Sequence, residues 1–430
     1  MVMESLDDTD KTNIYDTSIM AANLPSLPLH NNNNNNGFPA SNTDSSLPYS
    51  STIHLDRGDK VALESYWWKM RDKCTVVTKG WEFMSYGSDW SNSACWFMTP
   101  ELRDAIKRLH ALVGNVDTDD SHLVVGNGAT QLFQAALFAL SSSPSLSPHT
   151  PINVVAAAPH YSGYPDETDM VRSSLYKWSG DAREYDKNEA YIEIVNYPNN
   201  PDGSVRTTPV VNNKYGCEGK LIHDLVFYWP HYTPITHKAK HDLMLFSLSK
   251  CTGHSGSRIG WAIVKDKDIA RKMTKLIELN SIGVSGESQT RAAKIMEVLC
   301  DSYQSLRCDG SKKDSELFFE YSRRLLKERW EKLREVISEN GDFILHNKFS
   351  QRAYCNFKNE SSETYPAFAW FMCKKEEDCG IYMDKKMRVV ARSGNRFGSD
   401  SKFARIDMLG TGDDEFEEFL DRLSNIKEVN

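Results

Sequence analysis

Residues 243–261 read LMLFSLSKCTGHSGSRIGW. An aliphatic run from Leu243 passes through Ser247 and Ser249 to Lys250, and Arg258 follows eight positions later. A short run apolar at nearly every position suits a strand buried on both faces of a mostly parallel sheet. A lysine delivered to the end of such a strand sits in apolar surroundings. There it loses its proton readily and becomes an amine nucleophile of the Schiff-base kind. Small hydroxyls and a guanidinium fork beside it suit a bound phosphate. The plainer alternative is a surface lysine after a strand, with Arg258 paired to a carboxylate. On this motif alone the two readings are balanced.

Three stretches upstream bear on that balance. Gly126-Asn127-Gly128-Ala129-Thr130-Gln131 lies between a strand pattern and a helix pattern, where free backbone N–H groups can cradle a phosphate. A plain glycine turn fits it equally well. Asn196-Tyr197-Pro198-Asn199-Asn200-Pro201-Asp202-Gly203 is a rigid turn after a strand, its amides within reach of a ring oxygen; a simple Pro/Gly turn is the other reading. Ile222-His223-Asp224 sets a carboxylate at a strand's C-terminal end, where open α/β sheets place functional groups, although an acid there is more often a helix cap.

The rest of the chain fits an α/β protein. Short apolar runs begin at His122, Asn153, Tyr191, Lys220, Leu243 and Ile259, each bounded by Pro, Gly, Asn or Asp. Thr99-Pro100-Glu101 opens a helix with a cap, a first-turn proline and an early acid, and Gly114-Asn115 ends it. Thr130–Leu140 reads as a second helix. Ser315–Asn340 reads as one long charged helix, and short strands follow at Ala353–Phe357, Ala367–Met372 and Phe403–Met408. This last third forms a smaller α+β lobe to which residues near 55–85 return. Residues 1–50 carry six consecutive asparagines, Asn31 to Asn36, with much Ser, Thr and Pro, and are expected to be a disordered tail.

Composition narrows the function. Lys plus Arg number 51 against 59 Asp plus Glu, a net charge of −8, so no basic footprint for nucleic acid exists. No apolar run approaches a membrane span, and the acidic start MVMESLDDTDK offers no secretory h-region. The nine cysteines include no CxxC and no zinc-ligand spacing, so reduced thiols of a cytoplasmic protein and no metal are expected.

In order, the Gly-rich turn, N-N-P-D-G, the strand-end Asp and S-x-S-K with its arginine resemble fold-type I pyridoxal-phosphate enzymes. More closely, the chain resembles the plant tryptophan aminotransferase-related family and its relative alliinase. The motifs that carry this are APHYSGYPDET, YPNNPDGSVR, LIHDLVFYWPHYTPI, SLSKCTGHSGSRIGWAIVKD, RWEKLREV, YPAFAW and RSGNRFGSD. They cover the chain from about Ile53 onward.

The resemblance implies a mainly parallel seven-stranded sheet in a large domain (96–310), a small domain (311–430), and an N-terminal segment (51–95) serving the small domain and a homodimer interface. It implies pyridoxal 5'-phosphate as cofactor, with L-tryptophan and a 2-oxo acid, pyruvate or 2-oxoglutarate, converted to indole-3-pyruvate in plant auxin synthesis. Lys250 would hold the cofactor covalently and shuttle the proton, and Asp224 would pair its ring nitrogen. Asn200 would bond the ring oxygen and Tyr161 stack on the ring. Ala129, Thr130, Ser247, Ser249 and Arg258 would hold the phosphate. Tyr86 would reach a cofactor phosphate, that of the neighbouring subunit, and Arg405 would clamp the substrate carboxylate. Relatives commonly have a tyrosine where Phe227 stands, so a phenol that would bond the ring oxygen is missing unless Asn200 or Tyr228 compensates. Relatives also tend to have Phe at His160. An alliinase-like C–S lyase would use the same Lys250 and Asp224, but the Cys-rich segment of alliinases is not seen, the first cysteine being Cys74. A degenerate regulatory protein of this fold is the third alternative, supported only by Phe227.

Overall fold

Six short, mostly apolar segments leave the chain one economical solution, a central sheet covered by helices on both faces. The computed structural model describes residues 49–86, 94–142, 150–309, 316–346, 352–374 and 376–426. The expected N-terminal tail lies outside the described residues apart from its last two.

The sheet comprises β1 (His122–Gly126), β2 (Ile152–Ala156), β3 (Tyr176–Asp181), β4 (Tyr191–Asn196), β5 (Gly219–Asp224), β6 (Leu243–Ser247) and β7 (Gly260–Val264). Its order is β1-β7-β6-β5-β4-β2-β3, and only β7 runs against its neighbours. Strands β2, β4, β6 and β7 are buried along their whole length, which is why they read as continuous apolar runs. Strand β3 was not expected; its sequence, YKWSGD, is polar because this edge strand is mostly half-exposed. The expected fold class is the observed one.

Helix α1 (Pro100–Val113) starts and stops where its caps dictate: Leu102 N–H donates to Thr99 Oγ1 at 3.3 Å, and Gly114 takes φ +70°. Leu102, Ile106, Leu109 and Val113 form its buried stripe. Helix α2 (Gly128–Ser141) packs on the sheet, and α3 (Gly163–Asp169) follows β2.

A second, antiparallel sheet joins β8 (Phe343–Leu345), β9 (Phe368–Cys373), β10 (Arg392–Ser393) and β11 (Phe403–Asp407) in the order β10-β11-β9-β8. The two-residue strand Ile53–His54 pairs in parallel with Val389–Val390, bringing the start of the described chain to this sheet. Cys373 and Cys379 form a disulfide, their Cα atoms 5.3 Å apart. This corrects the expectation of reduced thiols throughout: the turn from β9 into the helix Cys379–Met387 brings the two buried cysteines together. Among the described residues, no helix is long and apolar enough to cross a membrane.

Candidate active site

Strands that run parallel deliver their C-terminal ends to one edge of the sheet, and the loops there build a concave surface. Gly126, Asn196, Asp224 and Ser247 end β1, β4, β5 and β6 at this edge. Beside them opens a cavity of about 290 Å³. Lining it are Ala129, Thr130, Tyr161, Asn200, Asp224, Phe227, Ser247, Ser249, Lys250, Arg258 and Arg405, so eleven expected residues from six separated stretches meet. Tyr86 is not among them; it stands 74% exposed.

At one end two carboxyls, Asp224 and Glu167, face the cavity with no ion pair among the described residues. Asp224 Oδ2 accepts from Tyr164 Oη at 2.6 Å, and Oδ1 accepts from Val226 N–H at 3.2 Å. Burial nevertheless raises the Asp224 carboxyl above the usual carboxylate range, the Tyr164 bond opposing it. Glu167, one turn beyond Tyr164 on α3, is pushed up to about 8 by burial and by repulsion from Asp224 and Asp166.

The other end is built to receive an anion. Gly128 takes φ +82°, and a Cβ there would collide with the Arg258 guanidinium. A Cβ at Gly260 would lie 2.7 Å from the Ala129 nitrogen, so glycine lets β7 approach the start of α2. The first N–H groups of α2 have no partner within the helix, and Ser247 caps the one-turn helix Leu248–Cys251 by accepting from Ser249 N–H. Among the described residues, Ser255 Oγ is buried with no hydrogen-bond partner, and Arg258 donates only to the carbonyls of Ser255 and Asn127.

Between the two ends lies Lys250. Its Nζ donates to Gly58 O at 2.6 Å, and desolvation, reinforced by the ammonium of Lys60, pushes the amine down to about 7. On the opposite wall Arg405, 2% exposed, donates to Asn200 Oδ1 at 3.2 Å and to Asp56 O at 2.5 Å, while its Nε is buried without a partner among the described residues. The Asn200 amide NH2 makes no hydrogen bond among the described residues. A site with buried carboxyls at one end, unmet anion donors at the other, a low-affinity amine between them and a guanidinium opposite fits a cofactor that carries a basic ring nitrogen, a carbonyl and a phosphate.

The two departures from relatives resolve differently. Phe227 lines the cavity, its ring set edge-on to Tyr232 and Phe368, each 5.4 Å away. Tyr228 does not compensate, because its hydroxyl donates to His237 O at 2.9 Å, away from the cavity. His160 lies behind the wall, edge-on to Trp178 at 4.9 Å and against Gly398.

Tyr164, Glu167, Arg392, Gly58 and Asp59 also line the cavity and were not anticipated. For Tyr164 and Glu167 a signal existed: spacings of three and six from Tyr161 in YSGYPDE place them on one side of a helix. Arg392, which donates to Ser162 Oγ at 3.0 Å, and the N-terminal residues arrive through tertiary contacts that leave no local pattern.

Comparison with known proteins agrees with this geometry. The family model described as Allinase matches residues 53–427. Tryptophan aminotransferase-related protein 2 of Oryza sativa subsp. japonica is 46% identical over 91% of this chain and 75% of its own length. The protein of the same description from Arabidopsis thaliana is 46% identical over 87% of this chain and 81% of its own length. An alliin lyase of Allium cepa var. aggregatum is 35% identical over 83% and 78%. Among solved structures, an aminotransferase from Staphylococcus aureus superposes with a TM-score of 0.61 at 16% identity, covering 90% of this chain and 96% of its own. N-succinyldiaminopimelate aminotransferase from Mycobacterium tuberculosis gives 0.57 at 18% identity, covering 87% and 93%. The fold is that of the type I pyridoxal-phosphate-dependent aminotransferases.

Proposed function

The chain belongs to the allinase family, and from that premise we propose that it is a pyridoxal 5'-phosphate-dependent aminotransferase. It moves the amino group of L-tryptophan to a 2-oxo acid and yields indole-3-pyruvate, the auxin precursor. The observation that carries the reading is the desolvated Lys250 amine, set between the Asp224 end and the anion-binding end of one cavity. The choice of tryptophan is supported by relatives described as tryptophan aminotransferase-related at 46% identity, against 35% for alliin lyase.

When bound, the cofactor supplies an electron sink for negative charge developing at the substrate Cα. Asp224 keeps the proton on the ring nitrogen, and Tyr164 fixes the carboxylate for that task. Lys250 takes the proton from the substrate Cα and returns it, a role that needs an amine poised near neutral pH. Arg405 binds the α-carboxylate through donors now shared with backbone carbonyls, and Asn200 steadies its guanidinium. Ala129, Thr130, Ser247, Ser249 and Arg258 hold the phosphate, joined by Tyr86 of a partner subunit in a homodimer. Tyr161, Phe227 and Phe368 wall the cavity and exclude water. The large and small domains and the interface segment keep the boundaries 96–310, 311–430 and 51–95, and the protein works in the cytoplasm.

The test is direct. Purified full-length chain with the cofactor, L-tryptophan and either pyruvate or 2-oxoglutarate should form indole-3-pyruvate, and borohydride reduction should mark Lys250 in the peptide map. Pyruvate released from a cysteine sulfoxide, with no indole-3-pyruvate, would replace this reading by the lyase. A mark on another lysine would refute both.

A further inference from the structure

Lys60 is a buried cation outside the roles above. Its side chain is fully buried, with Nζ 2.8 and 2.7 Å from the two oxygens of Asp407, whose side chain is equally buried. Nζ also stands 4.6 Å from the centroid of the Phe368 ring, in the cavity wall. A buried ion pair is weak evidence for stability, since desolving two charges offsets most of their attraction and apolar replacements are often as stable. Its position suggests a different use.

Lys60 ends a strap, residues 56–60, that crosses the cavity. Arg405 donates to the Asp56 carbonyl, Lys250 donates to the Gly58 carbonyl, and Asp407 N–H donates to Leu55 O at 2.8 Å. A Cβ at Gly58 would approach Lys250 Nζ to 3.0 Å, so the strap lies directly on the amine. We propose that the Lys60–Asp407 ion pair is the positioning element for Lys250. It pins the strap so that the Gly58 carbonyl fixes the direction of Nζ, and it sets a second positive charge beside that amine, which disfavours a charge on Lys250.

The charged and titratable neighbours of Lys250 leave this role to Lys60. Lys60 and Asp59 approach from the strap, Arg405 and Asp407 from β11, and Asp224 from β5. Tyr232 and His231 reach its backbone, not its amine. After burial itself, Lys60 is the strongest influence on Lys250, ahead of the opposing Asp407 and of Arg405. Burial pulls the Lys60 ammonium below the ordinary lysine range and Asp407 opposes that pull, while on Lys250 the repulsion from Lys60 outweighs the attraction of Asp407.

This inference rests on reading Lys250 as the nucleophilic amine, and one experiment separates the two. Full-length protein, freed of bound carbonyl cofactor with phenylhydrazine, is acetylated with limiting acetic anhydride across a pH series, and mass spectrometry follows the Lys250 peptide. Wild-type Lys250 should titrate near 7. The double variant K60M/D407L, which leaves no lone buried charge, should move that midpoint up, since the lost repulsion of Lys60 outweighs the lost attraction of Asp407, and slow labelling at neutral pH by about twofold or more. Lys60→Arg should keep the wild-type midpoint. If the double variant lacks a cooperative melt, Lys60→Gln takes its place with the same expected direction. A wild-type midpoint in the ordinary lysine range overturns the reading of Lys250 itself. A low wild-type midpoint that neither variant moves, or one that Lys60→Arg moves as far as the double variant, overturns the role of Lys60 alone.

Discussion

Replacing Glu167 by glutamine should make the cofactor-free protein more stable, and increasingly so as pH rises. The carboxyl lines the cavity beside Asp224 with no ion pair among the described residues, and it is held at about 8 against 4.5 for a free glutamate. Each unit of that difference is about 1.4 kcal/mol, so the full span sets a ceiling of roughly 5 kcal/mol, and water entry reduces it to about 2–3. The sign follows from which state ionises first. Below about pH 4.5 Glu167 is protonated both folded and unfolded and costs nothing. Between there and about pH 8 the unfolded chain ionises while the folded one does not, so stability drains away, and above 8 the loss is complete. Glutamine keeps the shape and removes the titration. Urea unfolding of the cofactor-free protein at intervals from about pH 5 to 9 should show two curves that meet at the acid end and separate toward the alkaline end, the variant above. A gap that stays constant with pH would refute the reasoning, because Glu167 would then be an ordinary carboxylate.

Three further outcomes follow. Asp224→Asn should retain some cofactor but lose about two or more orders of magnitude in turnover, measured as indole-3-pyruvate formed; near-normal turnover would remove Asp224 from its role. Phe227→Tyr should tighten cofactor binding about tenfold or more by adding a hydrogen bond to a charged oxygen, worth about 1.5–3 kcal/mol, and raise activity at neutral pH; titration by absorbance reads it, and coincident curves would leave Phe227 a packing residue. Deletion of residues 1–48, which contain none of the proposed site residues, should leave turnover and molecular mass in solution unchanged, and loss of either would refute its dispensability.

Much of the fold was legible because its signals are local. Buried strands announce themselves by aliphatic runs, and the termini of α1 by Thr99, Pro100 and Gly114. Lys250, Asp224 and the Gly-rich turn could be placed because each ends or follows a strand. Strand β3 escaped because YKWSGD lies half in water and carries no run. The Lys60–Asp407 pair escaped because its partners are 347 residues apart and nothing around a lysine says that it will be buried. The Cys373–Cys379 bond was read as two free thiols because spacing alone does not fix the direction of a Cβ.

The strap across the cavity also has a consequence for the order in which the molecule is made. Residues 56–60 are synthesised long before their anchors, Arg405 and Asp407, which lie on the last strand of the second sheet. A nascent chain that has the whole central sheet, Lys250 included, still has nothing to hold the Gly58 carbonyl in place. The wall over the amine therefore closes only once the second sheet, made after Lys250, has folded against the strap.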